Sequence, residues 1–341
     1  MCAGRDGASP SGTIAGMNIC IYGAGAIGGW IGSAVAQAGV RLHVVARGAT
    51  LDALQRDGLV MLRGDQRTQV PVNAVDDPAA LGVQDVVVIA VKAPSLAAVA
   101  ERIAPLIGPH TLVLTAMNGV PWWFLDGGFG GELAGTRLKA IDPDGAIAAA
   151  IPARHVVGGV VHASCALDAP GVVRHHFGNG LIVGTPSGQP NERVDALVAL
   201  LVRGGIEAKV SPQIQKDVWY KLWGNMTVNP ISALTGMTTD LILADDEVRG
   251  FISAVMLEAK EIGARIGIPI AETPEDRHVV TRRLGAFKTS MLQDVEAGRQ
   301  VELDALVTVV HELGQRTGVP TPFTAALLGL ARLRTRQLGL Y

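Results

Sequence analysis

Cysteine is scarce. Cys2, Cys20 and Cys165 are too few and too scattered among 341 residues for a disulfide framework or a thiolate metal site, so a reducing cytoplasm is the expected setting. The eight histidines show no ligand spacing. His175 and His176 are neighbours on a strand-like stretch, point to opposite faces and do not readily share a metal, so none is expected. No apolar run is long enough to span a membrane, and residues 1–16 lack the apolar centre of a signal peptide and read as a disordered extension. Neither charge dominates: 29 basic residues stand against 31 acidic ones, a formal net charge of −2, with similar balance in both halves. That leaves no footprint for nucleic acid or a membrane surface.

What is present is apolar. Hydrophobic residues make up 48% of the chain and the mean hydropathy is +0.32, which excludes disorder, and the length suits about two domains. The organising stretch is Ile19-Cys20-Ile21-Tyr22 running into Gly23-Ala24-Gly25-Ala26-Ile27-Gly28, which reads as strand, tight turn and helix. Gly23 permits the turn, Gly25 lets the backbone approach a pyrophosphate, and Gly28 lets the helix pack on the strand, with free N–H groups facing the anion. Such spacing carries weight only inside a βαβ unit. The unit is present: a helix over Ile27–Ala38 stops at Gly39, and Arg41–Ala46 follows as the second strand.

That second strand lacks the acid that binds a ribose 2′-hydroxyl in NAD sites. Ala46 and Arg47 stand there instead, and a guanidinium suits the 2′-phosphate of NADP. Further on, Leu51–Arg56 reads as a helix and Leu59–Leu62 with Gln69–Val72 as a hairpin around Gly64-Asp65. Asp85–Val91 and Thr111–Met117 are near-continuous apolar runs, the mark of buried parallel strands. They end in Lys92 and Asn118-Gly119, at the sheet edge where open α/β folds bind ligands. Pro121-Trp122-Trp123-Phe124 opens a glycine-rich loop that either covers a ligand or packs. Strands are expected at Val156–Leu167, Gly171–Phe177, Leu181–Gly184 and Glu207–Val210, with a helix over Arg193–Val202. Beyond Ser211-Pro212 only helices are expected, at Gln213–Val228, Asp246–Ile266, Glu275–Leu284, Leu303–Thr317 and Thr324–Arg336. The fold class is therefore α/β, an N-terminal Rossmann-type dinucleotide-binding domain (17–211) with a C-terminal all-α domain (212–341) and a cleft between them.

Lys221, Asn225 and Asn229 lie at i, i+4 and i+8, so one helix face presents an ammonium and two carboxamides just before Pro230. Val218, Leu222 and Met226, with Trp219 and Trp223, make the rest of that helix apolar, so the polar stripe needs a wet or ligand-filled space. A solvated helix face is the plainer alternative. Hydride reduction of a carbonyl needs an acid near the developing alkoxide, which Lys221 can supply, and donors for substrate oxygens, which the amides can supply.

With Asn118-Gly119, the run from Trp219 to Pro230, Thr289-Ser290-Met291-Leu292-Gln293-Asp294 and Glu302-Leu303-Asp304, the sequence resembles the ketopantoate reductases (2-dehydropantoate 2-reductases) over nearly its whole length from Asn18. The resemblance implies NADPH-dependent reduction of ketopantoate to pantoate, on the route to pantothenate and coenzyme A. By the same resemblance Lys221 is the catalytic lysine and Asn225, Asn229 and Ser290 are substrate-binding positions. Asn118 touches cofactor and substrate, Glu302 is the carboxylate near the lysine and nicotinamide ribose, and Arg47 and Lys92 lie on the cofactor side. Ser164 matches a residue whose backbone faces the cofactor. The family commonly continues Glu-Ile-Asp-x-Ile-Asn-Gly, whereas this chain has Val307 and Thr308 at the last two positions, and Met117 replaces a common glutamine. These departures bear on which 2-keto acid fits, not on the reaction type. The alternatives are another NADP-dependent hydroxy-acid dehydrogenase and a non-catalytic NADPH-binding regulator. A small 2-keto acid is the expected partner, and a homodimer stays open.

Overall fold

The computed structural model describes residues 16–341, so the extension read over residues 1–16 lies, Gly16 apart, outside the described residues. β1 (Ile19–Tyr22) is buried throughout, as four consecutive apolar side chains require, and leads into α1 (Ala26–Gln37) and β2 (Leu42–Val45). After α2 (Gly48–Asp57) the chain makes a hairpin of β3 (Leu59–Arg63) and β4 (Gln66–Val70), then the short β5 (Asn73–Val75). β6 (Gln84–Ile89), α3 (Leu96–Ala100) and β7 (Ile107–Thr115) complete the parallel part. In it β1 pairs with both β2 and β6, Ile19 standing opposite Leu42 and Val86.

Past α4 (Ala146–Ala150), β8 (Val156–Ala169) joins β7 in parallel and β9 (Val172–Gly184) returns antiparallel to it. Two strands expected separately are thus one, because Gly178 with φ +70° lets β9 continue past an irregular register. β3 lies alongside β9 and not beside β2, giving a mixed sheet ordered β4-β3-β9-β8-β7-β6-β1-β2-β5. After α5 (Glu192–Arg203), β10 (Glu207–Val210) pairs with the far end of β9.

The remainder is helical: α6 (Ile214–Thr235), α7 (Thr239–Ala244), α8 (Asp246–Arg265), α9 (Pro274–Arg282), α10 (Ser290–Glu296), α11 (Val309–Thr317) and α12 (Pro322–Gln337). α6 does not stop before Pro230 but runs five residues past it to a left-handed Gly236. An interior proline costs roughly 3 kcal/mol. Close burial of Asn229, Pro230, Ile231 and Ser232 offsets it. The helix expected over Leu303–Thr317 is present, its first part, Asp304–Thr308, widened into a π-helix that runs without a break into α11. α1 and α5 cover one sheet face over Trp30 and Leu200. On the other face one core runs unbroken from Val87 and Val113 through Trp122, Trp123 and Phe124 to Trp219 and Trp223. Phe124 stacks on Trp219 with centroids 5.9 Å apart. The Trp122-Trp123 loop is therefore packed interior, joining sheet to helices.

Candidate active site

The glycine turn is built as its spacing requires. Gly23 has φ +99°, and an added Cβ would stand 2.6 Å from Val91 Cγ1; at Gly28 it would lie 2.0 Å from the Gly23 carbonyl oxygen. At Gly25 a Cβ would meet nothing within 4 Å, so open space faces the start of α1, where no side chain caps the helix. An anion fits there, against free N–H groups of Ala26, Ile27 and Gly28. Beside the turn lies a cleft of about 510 Å³ lined by Tyr22, Gly23, Ala24, Gly25, Arg47 and Arg102, among others. Arg102 is engaged with the Asp76 carbonyl and Asp77, whereas Arg47 is exposed at the start of α2.

The sheet edge and α6 meet at Lys221. Its ammonium donates to Asn118 Oδ1 at 2.8 Å and to the Val161 carbonyl at 2.6 Å. Burial pushes its pKa down to about 8; Glu302 pulls the other way and the nearby Arg277 charge adds to the fall. Three residues along β8 from Val161 stands Ser164, half-buried. Asn225 lies on the same face of α6 as Lys221, and Asn229, one turn further, faces the Ser290 hydroxyl at 3.5 Å at the start of α10.

A second cluster lies where β6 ends. Lys92 Nζ is 2.7 Å from Asp294 Oδ2 and 3.5 Å from Glu302 Oε2, while Glu302 Oε1 accepts from the Ala93 amide at 3.0 Å. Burial opposes the Lys92 charge, but Glu302 and Asp294 outweigh it and hold its pKa above the ordinary lysine value. Glu302 thus makes its hydrogen bonds with Lys92 and the chain beside it, not with Lys221, on which it acts through space. Asp304 lines the cavity that Glu302 borders but takes no part in the Lys92 cluster, accepting instead from Thr308 and from the Tyr341 hydroxyl. The π-helix frees the Ala305 carbonyl to accept from the Val120 amide at 2.9 Å, which anchors the Asn118-Gly119 corner. Only glycine fits at 119: φ is +83° and a Cβ would lie 2.4 Å from that carbonyl oxygen. Asn118 and Glu302 border a mostly apolar cavity of about 430 Å³ that Met117, Trp122 and Trp123 also line.

Two groups escaped the sequence reading. Asp294, 2% exposed, closes the Lys92 cluster and also accepts from Arg299; its spacing of four from Ser290 on one short helix was the available sign. Arg277 on α9 lies over the Tyr220 ring and against Gly224, and a glycine inside an apolar helix was its only trace. Among the described residues no group of His, Cys, Asp and Glu could hold a metal.

A glycine turn on a parallel sheet, joined to a helical region that sets an ammonium at the sheet's carboxyl edge, defines a two-domain dinucleotide-dependent oxidoreductase. The chain belongs to the ketopantoate reductase family: residues 19–122 match the profile "Ketopantoate reductase PanE/ApbA" and residues 213–335 that of its C-terminal part. It is 45% identical to the 2-dehydropantoate 2-reductase of Mesorhizobium japonicum over 95% of this chain and 100% of that one. A solved structure from Ralstonia solanacearum MolK2, assigned to the ketopantoate reductases, is 55% identical with a TM-score of 0.91, covering 95% and 99% of the two chains. The 2-dehydropantoate 2-reductase of Geobacter metallireducens is 26% identical with a TM-score of 0.81, covering 93% and 99%.

Proposed function

We propose that the chain reduces ketopantoate to pantoate with NADPH, Lys221 acting as the general acid. One observation carries this reading. The Lys221 ammonium is fixed by two acceptors, Asn118 Oδ1 and the Val161 carbonyl, and retains a third N–H on the polar face of a buried helix. NADPH supplies the hydride. The open space at Gly25 and the uncapped start of α1 fit its pyrophosphate, and Arg47 suits its 2′-phosphate.

Lys221 donates a hydrogen bond to the substrate's keto oxygen, and its proton passes to that oxygen as the hydride reaches the carbon, leaving a neutral amine to be reprotonated from water. A pKa near 8 suits the task, since the group is charged at neutral pH yet a better acid than a free lysine. Asn225, Asn229 and Ser290 contribute to holding the substrate. Glu302, with Lys92 and Asn118, binds the cofactor's nicotinamide end, and Ser164 offers it backbone. Residues 17–211 form the dinucleotide unit and 212–341 the substrate unit. A cytoplasmic homodimer completes the proposal: Leu330 and Leu333, 60% and 71% exposed, give a second copy an apolar contact on α12, and light scattering reads the assembly.

NADPH oxidation measured against ketopantoate, other 2-keto acids, 3-keto acids and dihydroxyacetone phosphate tests the reading. The highest kcat/KM is expected with ketopantoate. Preference for a 3-keto acid or the phosphate, or tight NADPH binding without turnover of any compound, overturns it.

A further inference from the structure

A second cation flanks the helix that carries Lys221. The Arg277 guanidinium lies over the Tyr220 ring, its Cζ 5.1 Å from the centroid. It also presses on the backbone of Gly224, where a Cβ would stand 2.8 Å from Nε and Nη2. Tyr220 and Gly224 are a turn apart on α6, and Gly224 and Lys221 are neighbours at i, i+3, so Arg277 stands beside the polar face. Glycine is unfavourable inside a helix, and here it is what admits the guanidinium so close.

Among the described residues Arg277 makes no ion pair and its side chain no hydrogen bond, and its Nε is buried without a partner. The carboxylates near it in sequence are already engaged: Glu275 pairs with Arg282, and Asp276 closes the cap with Thr273. Asp217, earlier on α6, accepts from Ser211. Across the site Glu302 is taken by Lys92 and the Ala93 amide. A buried, unpartnered guanidinium edge is costly unless a ligand supplies acceptors, and its planar fork matches a carboxylate.

We infer that Arg277 is a specificity-determining residue that holds the carboxylate of the 2-keto acid while Lys221 addresses the adjacent keto oxygen. The placement suits such a substrate: Arg277 packs on Gly224, three residues from Lys221 on α6, and the keto oxygen and the carboxylate of a 2-keto acid sit on neighbouring carbons. This rests on the reading of the chain as a 2-keto-acid reductase and adds the residue that selects the acid.

The test compares Arg277→Met, Arg277→Lys and Gly224→Ala with the parent enzyme, using ketopantoate and its amide. Losing a charge-assisted fork from ground and transition states alike is expected to raise KM for the acid on the order of 10- to 100-fold. The kcat value and the NADPH dissociation constant should stay within a few-fold. The amide should show little difference between parent and Arg277→Met. The lysine variant should recover part of the loss, and Gly224→Ala, which displaces the fork, should move KM in the same direction. With Arg277 gone, Lys221 loses a charge that helps depress its pKa while Glu302 still acts to raise it, so the basic limb of the pH profile should move to higher pH. An unchanged KM, or equal losses on acid and amide, overturns the proposal. If the parent reduces no 2-keto acid, the functional reading has failed, and titrating the NADPH complex with oxalate still decides the role of Arg277. Weaker oxalate binding in Arg277→Met supports it, and equal binding refutes it.

Discussion

Lys221 Nζ donates to Asn118 Oδ1 at 2.8 Å, joining residues 103 apart in the chain: one from the loop after β7 and one from the first helix beyond the sheet. The bond sets the direction of the ammonium. With the Val161 carbonyl taking a second N–H, the remaining one points to whatever occupies the site.

Lys221→Met keeps the apolar stem and the helix propensity but removes the donor. The fold and NADPH affinity should survive, with kcat falling by roughly 10² to 10⁴, the span for one acid–base group. Asn225→Ala should act mainly on KM. Steady-state kinetics with a fluorescence titration of NADPH would separate the two, and a Lys221→Met enzyme within a few-fold of the parent removes the lysine from the mechanism.

The pH profile follows from the same side chain. An acid must be protonated to act, and burial brings the Lys221 pKa down from 10.5 to about 8. Activity should therefore be sustained below that pH and decline above it. A basic limb that remains flat to the range of an ordinary lysine would contradict the assignment. The stability term has the opposite sense: a depressed lysine pKa makes the folded chain gain stability as pH rises from about 8 toward 10.5, where only the unfolded chain still holds the proton.

Arg47 is exposed at the mouth of the cleft beside the glycine turn. Arg47→Ala should weaken NADPH by about ten- to hundredfold, the equivalent of about 1.5 to 3 kcal/mol for a charge-assisted contact, and NADH much less. Isothermal titration of both dinucleotides reads this directly. Equal losses would place the arginine's role elsewhere.

Glu302 and Asp304 are two residues apart and do different things. Glu302→Gln leaves Lys92 with Asp294 alone and weakens the acceptor of the Ala93 amide. It should lower both NADPH affinity and turnover. Asp304→Asn disturbs the bonds from Thr308 and Tyr341 and should chiefly lower the melting temperature. Matching kinetic losses in both would make the segment structural.

Local chemistry made much of this legible in the sequence. The turn from Gly23 to Gly28 follows from steric need, the buried strands before Lys92 and Asn118 from unbroken apolar runs, and the face shared by Lys221, Asn225 and Asn229 from helical spacing. What escaped depends on contacts distant in sequence. Nothing near Leu59 indicates that β3 pairs with β9 and not with β2. Pro230 signals a helix end, and tertiary burial overrides it. The seven-residue α10 is too short for a periodic signal, and Arg277 reaches Tyr220 on α6 from α9, which packs on α7 and α8.

The continuous core has a consequence for biosynthesis. During translation the glycine turn and its neighbouring strands emerge early, but β3 must wait for Val172 to find its partner strand, and Lys92 waits for Asp294 and Glu302. The Lys92 cluster can therefore close only after residue 302 has emerged, later than the dinucleotide cradle. A chain cut short before residue 294 would present a dinucleotide cradle whose Lys92 has neither of its counterions.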